Sequence, residues 1–490
     1  MSTHSSGRAK DRLERIARRV MTERGFLPDF SQAILDEVEK IQEVNRVAKV
    51  DKKDLRHLLW ASIDNDDSLD LDQLTVAEVL PDNRVKILVA IADVDALVKK
   101  NSAIDEHARQ NTTSVYTAGR VFPMLPERLS TDLTSLNYQK DRLSIVIEMI
   151  ISDDGEIQNS DIYHALVRNH AKLAYNSVAA WLEGKGPPPQ AVAVAPSLAE
   201  NLRVQDRVAQ ILRSQRHRCG ALELQTLEAR PIFAGDELQD LLAEETNRAK
   251  QIIEDFMIAA NDVTARFLHG KQVPSLRRVV RSPARWDRIV ELAAQHNFRL
   301  PSDPDPNALN GFLTRQKAAD PLRFPDISLS IIKLLGPGEY VVELPNQTSP
   351  GHFGLAVKDY THSTAPNRRF PDLITQRILK AIIGGSPLPY NRAALEELAM
   401  HCTQKEDDAR KVERLVAKSA AAMLLSSRVG ERFEAMCTGA AEKGTWVRIF
   451  YPPIEGRLLY GYEGVDVGNR LKVRLIHVDV DRGYIDFEKV

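Results

Sequence analysis

Between Ala61 and Asp72 the chain carries five aspartates, Asp64, Asp66, Asp67, Asp70 and Asp72, and no lysine or arginine. Like charges this dense repel one another, so a fold that gathers them must supply a counter-charge or leave the whole segment in water. A divalent cation is one solution. Hard carboxylate oxygens suit Mg²⁺ or Mn²⁺, and a site that keeps several waters is usual where the substrate is a phosphate ester. A solvated acidic loop is the other. An EF-hand is excluded, because a loop starting at Asp64 would place Leu69 where glycine is required and Thr75 where glutamate is required.

The surrounding composition narrows the classes further. At about 150 residues per domain, 490 residues make roughly three folding units. Apolar residues at 43% and charged residues at 27% are those of an ordinary globular protein, not a disordered or collagen-like chain. The three cysteines, Cys219, Cys402 and Cys437, form no C-x-x-C pair, which disfavours a zinc ribbon or an oxidised framework and predicts small buried side chains. The first 25 residues are rich in arginine without an apolar core, and no later run reaches membrane-spanning length, so the expected location is the cytoplasm. Net charge is only −2, yet residues 271–288 gather Lys271, Arg277, Arg278, Arg281, Arg285 and Arg288 against the single acid Asp287. That segment is expected to suit phosphates.

The pattern predicts an α+β chain. Leu13, Ile16 and Val20, then Ile34, Val38 and Ile41, keep helical spacing on either side of the Gly25–Pro28 break, giving a small helical unit over 1–53. Val85–Ala92 and Leu143–Ile151 read as strands of a large central domain over 54–428. Helices are expected at 170–183 and 197–215, separated by the Gly184–Pro189 surface loop, and again at 246–268 and 371–383. The last stretch, 429–490, alternates short β-rich runs with Gly and Pro turns, as in a small barrel of the OB type. No Walker-A loop, Rossmann glycine triplet, G-x-S-x-G elbow or H-E-x-x-H helix occurs, so kinase, dehydrogenase, serine-hydrolase and zincin chemistry lack support.

Several segments in order resemble the catalytic domain of the ribonuclease II (RNB) family. They are Lys53–Arg56, Ser62–Asp64, Ile91–Val94, Thr113–Tyr116, Phe122–Pro126, Leu129–Ser130 and Ser135–Leu136, followed by Arg248–Asn261, Gly351–Leu355 and Tyr360–Asp372. The resemblance spans about 54–425 and, more weakly, the barrel. It implies a mixed sheet with helices around an RNA channel, and a processive 3′→5′ exoribonuclease that uses Mg²⁺ or Mn²⁺ to release nucleoside 5′-monophosphates from single-stranded RNA. The family's acidic motif has aspartates at offsets of six, eight and nine from the first; Asp64, Asp70 and Asp72 match as metal ligands, whereas offset nine falls on Gln73. An amide oxygen can meet a hard cation but brings no charge.

By the same resemblance, Arg368 is the forked donor for the scissile phosphate, and Arg369 beside it is assigned to RNA binding. Pro366 and Pro371 suggest a rigid turn feeding a helix N-terminus. Tyr116 and Tyr175 match rings that stack on bases, and Glu254 a carboxylate that meets the terminal sugar; its acceptance of a 2′-hydroxyl proton would favour RNA over DNA. Leu224 lies where a clamp aromatic is usual. Family members begin with two cold-shock barrels, and the roughly 50 preceding residues are too few for one. The helical unit is expected to be a helix-turn-helix-like RNA guide or a stabilising appendage, and easier access for structured RNA is expected. The implied protein is monomeric, with single-stranded RNA as its partner. A catalytically weakened RNA-binding protein of the same fold, its metal lost through Gln73, is the alternative.

Overall fold

The computed structural model describes residues 8–41, 52–226, 229–243, 246–321, 323–347, 349–441 and 444–490. The expected helical unit over 1–53 therefore falls partly outside the described residues. Its helices are α1 (Arg8–Glu23) and α2 (Gln32–Lys40). They share no core: Leu13, Ile16, Ala17, Val20 and Met21 of α1 join the cluster that includes the C-terminal barrel, whereas Ile34 and Val38 of α2 join the central cluster. Neither helix offers enough apolar surface to close a core alone, so each is absorbed by a larger neighbour.

β-rich runs build a seven-stranded sheet from β1 (Lys53–Asp54), β2 (Ala61–Asp64), β3 (Gln73–Val79), β4 (Val85–Ala92), β7 (Asp141–Ile151), β8 (Ile157–Arg168) and β9 (Ala171–Ala174), in the order β1-β8-β7-β4-β3-β2-β9. Between β4 and β7 come α3 (Ala103–Asn111) and a small hairpin of β5 (Val115–Tyr116) and β6 (Val121–Phe122). β4 is buried at seven of its eight positions, so it lies mid-sheet with both faces covered. The helix expected over 170–183 begins only at Tyr175. Ala171–Ala174 instead pair in parallel with Ala61–Asp64, and that ladder overrides local helical spacing.

After β9 come α4 (Tyr175–Leu182), the proline loop, α5 (Gln190–Ala193) and α6 (Pro196–Arg218), then a hairpin of β10 (Ala229–Ala234) and β11 (Glu237–Ala243), and α7 (Arg248–Gly270). Helix α6 lies on β3, where Gln205 accepts from the Thr75 hydroxyl at 2.7 Å and Asn201 spans Ala77. Residues 271–288 contribute β12 (Ser275–Val279), paired with β13 (Glu339–Glu343), and open α8 (Trp286–Gln295), which packs with α9 (Pro306–Ala319) and α10 (Phe324–Leu335).

For Arg277 and Arg278 the expected phosphate-binding role is corrected by this placement. Arg277 is wholly buried against Glu343 at 2.6 Å, Arg278 is buried against Glu406, and Arg281 and Arg288 pair with Glu339 and Glu291. Arg277 and Arg278 are neutralised inside the protein, whereas the Arg281 and Arg288 pairs lie at the surface. Within Gly351–Leu355, which resembles a family segment, His352 makes single bridges to Val280 and Val357, and Phe353–Leu355 form one 3₁₀ turn capped by the His352 ring.

The long helices α11 (Phe370–Ile383) and α12 (Arg392–Leu425) lead to a closed barrel of β14 (Arg432–Ala441), β15 (Gly444–Ile449), β16 (Glu455–Tyr460), β17 (Arg470–Asp479) and β18 (Tyr484–Lys489). The barrel docks closely on α12. A Cβ at Gly483, whose φ is +67°, would stand 2.9 Å from Lys418 Cβ. Arg448 of β15 forks onto Asp326 of α10 at 2.6 and 3.1 Å. Cys402 and Cys437 are buried as expected, but Cys219 is exposed at the end of α6. No described helix is long and apolar enough to cross a membrane.

Candidate active site

The acidic run is a loop between two neighbouring strands of the sheet. Asp64 ends β2, Gln73 opens β3, and the intervening residues are pinned from behind. Leu71 is fully buried; its N–H donates to the Ser135 hydroxyl at 2.9 Å, and its carbonyl accepts from Leu136 N–H at 3.0 Å. The Ser135 hydroxyl in turn donates to Leu69 O at 2.7 Å. Leu71 is thus anchored inward and Leu69 is held only by its carbonyl, its side chain lying exposed, with Asp70 and Asp72 flanking Leu71.

A second loop, Ala365–Arg369, closes over this one. Asp372, completely buried in the first turn of α11, accepts from Ala365 N–H at 2.8 Å, and Asn261 of α7 accepts from Ser363 N–H at 2.9 Å. Across the gap, Asn367 N–H donates to Asp72 Oδ1 at 3.0 Å and Arg368 Nε donates to Asp72 Oδ2 at 3.2 Å. Asp72 is 2% exposed, whereas the Arg368 side chain is 43% exposed. Its Nη groups carry no hydrogen bond among the described residues, so one edge of the guanidinium is anchored and the other is free.

Asp64 accepts from the Gln73 side-chain amide at 3.2 Å through Oδ1, while its buried Oδ2 has no hydrogen-bond partner. Burial first, then the charge of Asp72, pushes Asp64 from 3.8 up to about 7. Burial also raises Asp72 to about 7, against the opposing pull of Arg368 and the Asn367 N–H. Asp70 is half-buried and accepts from the Tyr116 hydroxyl at 3.5 Å. Burial holds the Tyr116 and Tyr175 phenols above their usual range, and the charge of Asp64 adds to this at Tyr175. Both rings therefore border the aspartates.

The remaining expected residues stand apart from this constellation. Arg369 donates to Asp372 at 2.8 Å and is turned into the support of its own loop. Glu254 is exposed and pairs with Arg213 of α6 at 3.4 Å. It lies seven residues before Asn261 and so shares the α7 face that meets the arginine loop, about two turns away. Leu224 packs at the edge of the α8–α10 cluster, near Leu222, whose N–H donates to Gly354 O at 2.9 Å. Two contributors escaped the sequence reading. Asn367 acts through its main chain, which no side-chain motif reveals, and Glu413 of α12 accepts from Tyr116 N–H at 2.9 Å across 297 residues of chain.

The donor chemistry fits a hard divalent cation: two carboxylates, Asp64 and Asp72, are pushed up chiefly by burial, and Oδ2 of Asp64 is without a hydrogen-bond partner. It is not a closed cage. Among the described residues no group of three or more His, Cys, Asp or Glu side chains converges to hold a metal ion. N–H and O–H donors draw the three aspartates apart, Asp72 toward Arg368, Asp64 toward Gln73 and Asp70 toward Tyr116. Such a site would offer one or two carboxylates and leave the other positions to water and phosphate oxygens, the habit of Mg²⁺.

Known proteins match this architecture. The chain is 32% identical over 488 residues to Ribonuclease R of Vibrio parahaemolyticus and 28% identical over 502 residues to Ribonuclease R 1 of Lactococcus lactis, covering 92% and 96% of this chain. It spans only 57% and 60% of those relatives' own lengths. Among solved structures, Mycoplasma genitalium RNase R in complex with ribose-methylated single-stranded RNA superposes with a TM-score of 0.88 at 22% identity, covering 98% of this chain and 78% of that one. Residues 431–490 match the RNase II-type exonuclease C-terminal S1 domain, which agrees with the closed barrel. The RNB domain matches residues 52–385, more than half of the chain, and the chain belongs to the RNB-domain family.

Proposed function

We propose that this chain is a 3′→5′ exoribonuclease that hydrolyses single-stranded RNA processively to nucleoside 5′-monophosphates. One observation carries the reading: a buried aspartate, Asp72, holds the Nε edge of Arg368 at 3.2 Å while the Nη edge stays free beside two further aspartates. A guanidinium fixed in this way offers two parallel donors to phosphate oxygens. Because it is oriented before substrate arrives, it stabilises developing negative charge with little reorganisation. The named relatives support the same reading.

Asp64, Asp70 and Asp72 are the carboxylates from which Mg²⁺ or Mn²⁺ would take one or two ligands, water and phosphate oxygens completing the shell. When bound, such an ion activates water and offsets charge on the attacking and leaving oxygens. The chain's own residues do the rest. Asn367 N–H and Arg368 fix the Asp72 carboxylate, and Gln73 fixes Asp64 through its amide. Tyr116 and Tyr175 supply faces for the last bases, Glu254 an acceptor for a 2′-hydroxyl, and Arg369 braces the arginine loop from behind. In this reading the protein acts as a monomer in the cytoplasm.

A second reading, an RNA-binding protein with weakened catalysis, is favoured by one observation, the neutral amide of Gln73 at the fourth acidic position. Labelled single-stranded RNA incubated with Mg²⁺ separates the two. Mononucleotide release that disappears in Asp72→Asn supports the enzyme; bound but intact RNA with the unaltered protein supports the binding module.

A further inference from the structure

We propose that α1 is a positioning element for Tyr116, setting how firmly the protein grips the end of a single-stranded RNA. The inference rests on the reading of Tyr116 as a base contact. Tyr116 belongs to a hairpin of two two-residue strands, too small to hold a conformation by itself. Something outside must fix it. On one side α12 does so, through Glu413 and the Tyr116 N–H.

On the other side α1 presses directly on the turn. A Cβ at Gly119 would lie 3.0 Å from Leu13 Cβ and 3.2 Å from both Glu14 N and Lys10 O, so the helix backbone passes over the turn with room for a hydrogen and no more. Beside this contact, Arg120 donates to Glu14 at 2.9 Å, and the Arg18 and Arg120 guanidinium groups both lie over the Phe122 ring. Val115 and Phe122 of the hairpin are buried in the same cluster as Leu13, Ile16 and Ala17.

The helix is anchored at its other flank to the barrel. Arg12 forks onto Asp481 at 2.9 and 3.3 Å, and Arg19 donates to Asp481 O at 2.8 Å. Arg18 pairs with Glu14 and Asp29, and Arg24 with Asp408. Arg12, Arg18, Arg19 and Arg24 are thus engaged within the protein. The helix bridges the barrel and the hairpin whose tyrosine reaches Asp70.

The test uses the full chain and a fluorescent oligonucleotide, comparing Gly119→Ala, Arg120→Met, Tyr116→Ala and the double variant Arg120→Met with Tyr116→Ala. The Arg120–Glu14 pair is half-exposed, so its loss leaves the fold intact, and thermal melting checks this. Tyr116→Ala is expected to weaken RNA binding by about five- to a hundredfold, the range for one stacked base. Gly119→Ala and Arg120→Met should raise KM by about three- to tenfold with kcat within about twofold, as for lost substrate binding that the transition state shares. The double variant should bind no more weakly than Tyr116→Ala alone, because both changes act through one ring. Unchanged KM in both α1-facing variants beside a weakened Tyr116→Ala, or losses that add in the double variant, would overturn the inference. Unchanged binding in Tyr116→Ala would overturn it together with the base-contact reading.

Discussion

Asp64→Asn should make the metal-free protein more stable at alkaline pH while abolishing its chemistry. In the fold Asp64 is raised from 3.8 to about 7, so the folded state holds a proton that the unfolded chain releases at lower pH. The contribution of Asp64 to stability therefore falls as pH rises from about 4 to about 7 and stays low above that. A rise of about three units corresponds to roughly 4 kcal/mol at about 1.36 kcal/mol per unit. Part of this is repulsion shared with Asp72, which leaves about 2–3 kcal/mol for Asp64 itself. The asparagine keeps the acceptor for Gln73, but its Nδ2 takes the place of the partnerless Oδ2, at a cost of about 1 kcal/mol. The expected net gain is about 1–2 kcal/mol near pH 8.5, vanishing near pH 5. Urea denaturation in the presence of a chelator, at both pH values, measures it. A difference that is the same at both, or a variant less stable than the parent near pH 8.5, would refute the argument. Mg²⁺ should then stabilise the parent more than the variant, because only the parent gains a ligand-bound folded state of appreciable affinity.

Other substitutions probe separate links. Arg368→Lys retains charge but loses the fork and its Nε bond to Asp72, so kcat should fall by about a hundredfold or more with a smaller change in RNA affinity. Gln73→Asp adds a charge beside Asp64 and removes the amide donor; the Mg²⁺ or Mn²⁺ concentration giving half-maximal activity should fall, and an unchanged titration would mean that the amide is immaterial to metal use. Arg277→Met leaves Glu343 buried without its closest partner and should cost about 3–5 kcal/mol in urea denaturation, with mononucleotide release per folded molecule unchanged.

Much of the architecture follows from local pattern. Val85–Ala92, buried on both faces, is the strand its apolar run predicts, and the apolar stripe of 246–268 gives α7 over Arg248–Gly270. Where pattern and structure part, a distant partner decided the outcome. Ala171–Ala174 became a strand because β2 offered a parallel edge, and Arg277 and Arg278 lost their expected role because Glu343 and Glu406 neutralise them out of water.

The site divides in the same way. The acidic run marked the segment by its residue types, and the resemblance to the RNB family singled out Asp64, Asp70 and Asp72 within it and Arg368 in the arginine loop. Their relation was not written there. That Asp72 lies under Arg368 from 296 positions away in the chain, that Asn367 contributes only its N–H, and that a helix near residue 13 presses on the turn behind Tyr116 are products of chain closure. Sequence fixes which groups can ionise, donate or stack, because those are covalent properties. Only the tertiary fold decides which of them face one another out of water, and hence that two ordinary aspartates are pushed up to about 7.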